Sequence, residues 1–150
     1  MQKPFFPVVI RHARAQDLPL LCDLLRQLWA DTPRDPKALI KVLKIMMAPG
    51  HQDDVFVATM RGTVVGMITL SWKPSLFSAG WLVQVEQIVV TDTLRGHGIG
   101  TALLQFGIRH AKKLKAKRIT LNAGFHRLKA HAFYERHGFQ KFGYHFGKML

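Results

Sequence analysis

Acidic residues are scarce in this 150-residue chain: nine Asp and Glu stand against 22 Lys and Arg, a formal charge of +13. Only two of the nine are glutamates, Glu86 and Glu135. Cysteine is scarcer still. Cys22 stands alone, so no intrachain disulfide can form and nothing suits the chain to an oxidising compartment. No apolar run approaches the ~20 residues that a bilayer-spanning helix needs. The opening MQKPFFPVVIRHARAQ lacks the apolar core and small-residue cleavage site of a secretory leader. These absences point to a soluble cytoplasmic protein with no membrane partner. The 48% hydrophobic content excludes wholesale disorder. With no internal repeat and no linker, one domain over residues 1–150 is expected.

The charge is unevenly placed. From Arg109 to Leu150 eleven Lys and Arg face the single acid Glu135, leaving +10 on the last 42 residues. Such a field favours anionic partners: nucleic acid, a membrane surface or a phosphorylated small molecule. Charge alone does not choose among them.

Residues 8–10, Val-Val-Ile, are β-branched and predict a first strand. Asp17 stands where an N-cap belongs, and Leu18, Leu21, Leu25 and Leu28 form the stripe of an amphipathic helix to about Trp29. Cys22 lies beside that stripe as a small core residue, with nothing nearby to lower its pKa. The breaker-rich residues 31–36 form a loop, and a second helix runs from Pro36 to Met47. Residues 55–60 and 63–71 read as strands joined at Arg61-Gly62, residues 72–80 as a loop, and residues 81–90 as a long strand. The end of that strand, Ile88-Val89-Val90, is apolar on both faces, as a central strand requires. A helix follows over about residues 98–115, with Leu103, Gly107, Ala111 and Leu114 on its buried face. Residues 118–122 predict a strand, 129–137 a helix, and 139–146 a closing strand or hairpin. The fold class is α/β, a mixed central sheet flanked by about four helices.

Between the long strand and its helix lies Thr91-Asp92-Thr93-Leu94-Arg95-Gly96-His97-Gly98-Ile99-Gly100-Thr101. Three alternating glycines keep side chains off the turn, so backbone N–H groups can converge beside the positive end of the helix dipole. That combination cradles phosphate or pyrophosphate, with Arg95 adding a cation at the rim. Neither nucleotide motif fits: a G-x-G-x-x-G reading meets Thr101 or Leu103 where its third glycine belongs, and no Gly-Lys-Ser/Thr follows. A ligand-free turn is the plain alternative, but such a turn requires neither three glycines nor an arginine.

Arg95-Gly96-His97-Gly98-Ile99-Gly100, read as R-x-x-G-x-G after VEQIVV, resembles the acetyl-CoA loop of the GNAT superfamily of N-acetyltransferases. A second block, Ala130-His131-Ala132-Phe133-Tyr134-Glu135-Arg136-His137-Gly138-Phe139, resembles the A-x-x-F-Y-x-x-x-G-F signature that follows in many members. The N-terminal IRHARAQDLPLL is similar to the opening strand and helix of such proteins, so the resemblance spans nearly the whole chain. Many members carry Asn three residues before the Ala of the second block. Here Arg127 stands there, where it can face CoA phosphates instead.

The resemblance implies an acetyl-CoA-dependent N-acetyltransferase acting on a primary amine by direct attack on the thioester. Gly96, His97, Gly98, Ile99, Gly100 and Thr101 would hold the pyrophosphate, and backbone groups of Ile88, Val89 and Val90 the pantetheine arm and thioester carbonyl. Arg127, Ala130, Phe133 and Tyr134 would complete the CoA site. Tyr134 matches the tyrosine near the sulfur. With an ordinary pKa near 10 it can protonate a departing thiolate; a core aromatic is its plain alternative. Glu86 matches a strand position that serves as base or amine anchor in several members, against the alternative of a solvated residue or salt bridge.

His97 reads otherwise as solvent-facing. His110, His126, His131 and His137 lack the carboxylate partners and spacing of a metal site, so no metal is expected. Trp72, Phe77 and Trp81 flank the loop before the long strand, where packing explains them better than acceptor selection. No activated Cys or Ser offers an acyl-enzyme route. The rival readings are nucleic-acid binding, for which no helix-turn-helix, zinc-finger or RNP pattern appears, and a non-catalytic acyl-CoA-binding protein on the same fold. Polyanionic CoA already accounts for a basic field. A homodimer is one assembly the resemblance allows.

Overall fold

The computed structural model describes residues 7–150. The chain divides into two compact units, one ending at Thr120 and one running from Leu121 to Leu150. The first opens with β1 (Val8–His12), α1 (Leu18–Leu28), α2 (Pro36–Met47), β2 (Asp53–Met60), β3 (Thr63–Ser75), β4 (Gly80–Val90) and α3 (Ile99–Lys113). Then β5 (Arg118–Leu121) carries the chain across the boundary, and α4 (Leu128–Arg136) belongs to the second unit. Strand order is β1-β2-β3-β4-β5, with the first four strands antiparallel in turn. β5 is reached by the α3 crossover that a parallel neighbour needs, which makes the sheet mixed.

Side-chain alternation along the strands sends alternate residues to opposite helices. Val55, Val57, Met67 and Val89 join Leu18, Leu21, Leu24, Leu25 and Leu43 in one core beneath α1 and α2. On the opposite face a Cβ added at Gly107 of α3 would stand 3.0 Å from Ile68 Cδ1, and one at Gly66 of β3 3.1 Å from Leu103 Cδ1. Helix α3 therefore lies tight on β3, and small residues set that distance. Each fully buried aliphatic here, Leu21 and Leu103 among them, contributes about 1.5–3 kcal/mol of transfer free energy.

Two local expectations change. Asp17 does not cap α1 with its side chain. Its carboxylate takes two hydrogen bonds from the Arg11 guanidinium, at 2.7 and 3.0 Å, and one from the Arg14 N–H at 2.7 Å. A bidentate guanidinium binds a carboxylate more strongly than a lone helix amide can. The first of residues 72–80 are strand: β3 runs on to Ser75, pairing Trp72 with Val83 and Pro74 with Trp81, and only residues 76–79 turn. β2 ends its pairing opposite Ser71, so Pro74 lies where β3 has no neighbour on that side and its missing N–H costs nothing. Asp35 caps α2 through the Lys37 and Ala38 amides.

In the second unit, residues 139–150 carry no regular structure, contrary to the closing strand or hairpin expected there. The alternating aromatics Phe142, Tyr144 and Phe146 are 75–89% exposed, so the alternation has no buried face to serve, and burial on one face is what fixes a strand. Phe133 contacts the rings of Tyr134 (centroids 5.3 Å) and His137 (4.6 Å), and Tyr134 reaches Phe139 (6.0 Å). These rings form the centre of the unit.

Candidate active site

β4 delivers the chain to the glycine turn. After Val90, Thr91 donates its N–H to Val65 O at 2.9 Å, which fixes the turn's start on β3. A single 3-10 turn over Asp92–Leu94 follows. Gly96 and Gly98 then take φ of +79° and +84°, a left-handed conformation that costs L side chains about 1–2 kcal/mol. Gly98 is the N-cap of α3 and has no capping side chain. The first backbone donor satisfied within the helix is Ala102, bonded to Gly98 O at 3.0 Å. The amides of Ile99, Gly100 and Thr101 thus remain at the helix N-terminus, beneath a loop whose Gly96 and His97 are exposed.

Arg95 donates from Nε to Val90 O at 3.2 Å and pairs with Asp92. It is therefore a guanidinium held at the rim by two contacts. His97 Nδ1 lies 3.0 Å from Arg95 O and 3.2 Å from Leu94 O, so the imidazole closes the turn and faces outward.

Glu86 owes its place to an irregularity that strand periodicity does not reveal. Thr69 pairs with Gln87, yet Leu70 pairs with Val85. Glu86 is the extra residue of a β-bulge, a device that re-aims one side chain. Its carboxylate is exposed, accepting from Ser71 Oγ at 2.6 Å and from Gln84 Nε2 at 3.5 Å. Beyond the bulge, Ile88 is half-buried while Val89 and Val90 are buried. β5 is four residues long, and Lys117, just before it, donates to Trp81 O at the head of β4. Four residues match at most four of the eleven in β4, so β5 stops short of the Ile88–Val90 end.

The second unit holds the other sequence-derived candidates. Arg127 is the N-cap of α4 and is exposed; Ala130 and Phe133 are half-buried. Tyr134 is buried to 9% exposure. Burial raises its pKa above the ordinary phenol value, with the Arg127 charge opposing. Within this unit a cavity of about 360 Å³ is lined by His126, Arg127, Leu128, Lys129 and Ala130.

Some chemistry lay outside the sequence reading. His110 does have a carboxylate partner, since its Nε2 lies 2.7 Å from Asp54 Oδ2. The two residues are 56 positions apart in sequence, and only the packing of α3 on β2 joins them. Ser71, Gln84 and Asp53 were likewise invisible as a group until strand register aligned them. Cys22 is half-buried, and its thiol pKa is raised chiefly by burial and further by Asp23. Phe77 is 86% exposed, so packing does not explain it; the Arg118 guanidinium lies 5.0 Å over its ring. No helix of the described residues is long and apolar enough to cross a membrane.

Comparison with known proteins bears on the fold and the family. An aminoalkylphosphonate N-acetyltransferase of Salmonella typhimurium is 28% identical over 149 residues, covering 91% of this chain and 97% of that protein. A transcriptional regulator from Bacillus halodurans superposes with a TM-score of 0.88 at 26% identity, over 96% of this chain and all of that one. A GNAT family acetyltransferase of Staphylococcus aureus, 21% identical, shares the fold with a TM-score of 0.77 over 95% of this chain and 98% of its own. The profile of the acetyltransferase (GNAT) family matches residues 19–139, from the start of α1 through the aromatic centre of the second unit, and the chain belongs to that family.

Proposed function

We propose that this protein transfers the acetyl group of acetyl-CoA to a primary amine in the cytoplasm, over a single domain spanning residues 1–150. The observation that carries the reading is the turn between β4 and α3, where two left-handed glycines leave the helix amides without side chains in front of them. Gly96 supports it directly, because a Cβ there would meet no protein atom within 4 Å. The space before that backbone is open, and glycine preserves it.

In this reading Gly96, His97, Gly98, Ile99, Gly100 and Thr101 hold the pyrophosphate, with Arg95 as the rim cation. The +13 charge of the chain draws the polyanion in. The part of β4 beyond the reach of β5, at Ile88, Val89 and Val90, offers backbone groups to the pantetheine arm and an N–H to the thioester carbonyl. Arg127, Ala130 and Phe133 serve the same molecule, Arg127 through phosphate. Bound acetyl-CoA supplies an activated acyl group. The amine nitrogen attacks its carbonyl carbon, a C–N bond forms and the C–S bond breaks.

Glu86 accepts the proton the amine must lose. Tyr134 holds a proton at Oη for the departing sulfur, and its raised pKa keeps that proton in place at neutral pH. Thiol release is the test. With acetyl-CoA and a panel of primary amines, the purified protein should release CoA only when an amine is present. Release that is absent with every amine, or that is unchanged without one, contradicts the reading.

A further inference from the structure

The first unit holds a second cavity of about 360 Å³, away from the glycine turn and between the end of α2 and the head of β2. Met46, Met47, Pro49 and Trp72 supply apolar wall, Asp53 and Asp54 supply negative charge, and the imidazoles of His12 and His51 also line it. The two carboxylates are not equivalent. Asp54 is taken, with His110 Nε2 at 2.7 Å and His12 Nδ1 at 3.8 Å. Asp53 is half-buried, and no hydrogen bond or ion pair among the described residues engages its carboxylate. No lysine or arginine lines the cavity, although the chain has 22 of them.

Strand register connects this cavity with Glu86. Asp53 pairs with Ser71, and Ser71 pairs with Gln84, so the three side chains leave the same face of the sheet. Ser71 and Gln84 are also the two residues that bond the Glu86 carboxylate. Two acids of a strongly basic protein therefore flank one serine. Asp53 has a raised pKa, first from desolvation and then, against the pull of His51, from Glu86 and Asp54. A volume near 360 Å³ suits a small molecule.

We infer that this cavity is the acceptor site, taking a primary amine on an apolar or aromatic stem, with Asp53 holding its ammonium group beside Glu86. The inference rests on the N-acetyltransferase reading above and adds the substrate class. The stem lies against the methionines and Trp72. An anionic tail finds no Lys or Arg there; it meets Asp53 and Asp54, and of the two histidines His12 already lies 3.8 Å from Asp54 and His51 acts on Asp53, so phosphonate-bearing amines are disfavoured.

Paired amines of equal chain length, 3-phenylpropylamine and 3-aminopropylphosphonate, test this with acetyl-CoA as donor. The phenyl compound should be preferred by about tenfold or more in kcat/KM, the ratio that one uncompensated charge contact produces. Asp53→Asn, and Ala48→Phe which fills the cavity without touching charge, should each raise the KM for 3-phenylpropylamine by about tenfold. The KM for acetyl-CoA should stay within about twofold in both. Equal use of the two amines, or an unchanged amine KM in both variants, overturns the assignment. If no amine is turned over at all, the N-acetyltransferase reading fails separately. The pocket is then judged by NMR line broadening of 3-phenylpropylamine alone, which wild type should show and Asp53→Asn should lose.

Discussion

Gly96 and Gly62 form a matched pair. Both hold φ of +79°, and a Cβ added at either meets nothing within 4 Å. Alanine at each should therefore cost only backbone strain, about 1–2 kcal/mol. For a chain of this size that lowers Tm by roughly 2–4 °C per kcal/mol. What differs is the setting. Gly62 is at the tip of the β2–β3 hairpin, while Gly96 precedes the N-cap of α3 by two residues. If the loop amides hold the CoA pyrophosphate, the new methyl of Gly96→Ala stands between backbone and ligand. Its Kd for acetyl-CoA should rise about tenfold or more, a loss of about 1.4 kcal/mol, while Gly62→Ala stays within about twofold. Melting curves and competition against a fluorescent CoA analogue read the two quantities separately. Equal melting losses with equal affinities would refute the placement of the ligand on this turn.

Tyr134→Phe should lower kcat by about a hundredfold with little change in the KM for acetyl-CoA; an unchanged kcat would remove Tyr134 from the mechanism. Because burial raises the Tyr134 pKa, the neutral phenol is favoured in the folded state. Its stability contribution is complete below the ordinary value and is lost as pH rises toward the elevated one, so the alkaline limb of the kcat profile should lie above the usual tyrosine range. For Asp17 the sign is opposite. The Arg11 hydrogen bonds, and then the Arg14 N–H, outweigh desolvation and lower its pKa, so its contribution is present above the ordinary carboxylate pKa and is lost as pH falls. Asp17→Asn should cost about 2–3 kcal/mol at neutral pH, and urea titrations at decreasing pH should show the gap closing. Leu103→Ala, at a position with 0% exposure, should cost about 3–5 kcal/mol in the same assay.

Local chemistry was legible in the sequence wherever the signal itself was local. The bounds of α2 match expectation because prolines and glycine punctuate both ends, and Arg61-Gly62 marks the hairpin because a two-residue loop needs positive φ, which its glycine adopts freely. The glycine turn was legible for the same reason, since spacing along the chain is what places its amides. Features that depend on distant partners were not. Arg11 captures Asp17 from a strand, so a cap became an ion pair. Pro74 reads as a breaker, yet β2 has already ended beside it. The bulge that presents Glu86 is a mismatch between two strands and exists in neither alone. Asp53 looks like any strand-edge acid until register sets it in line with Ser71 and Gln84. The alternation in residues 139–146 suggests a strand that the fold does not form, because a strand also needs a neighbour, and the aromatics there are exposed.

Titration calorimetry of the purified protein with acetyl-CoA, at low and at moderate salt, tests the central claim most directly. The glycine turn predicts saturable one-to-one binding that persists at moderate salt, because fixed backbone amides and a helix terminus, more than mobile surface charge, hold the phosphates. Heat that disappears as salt rises, with no defined stoichiometry, would be the signature of a polyanion on a +13 surface and would contradict it.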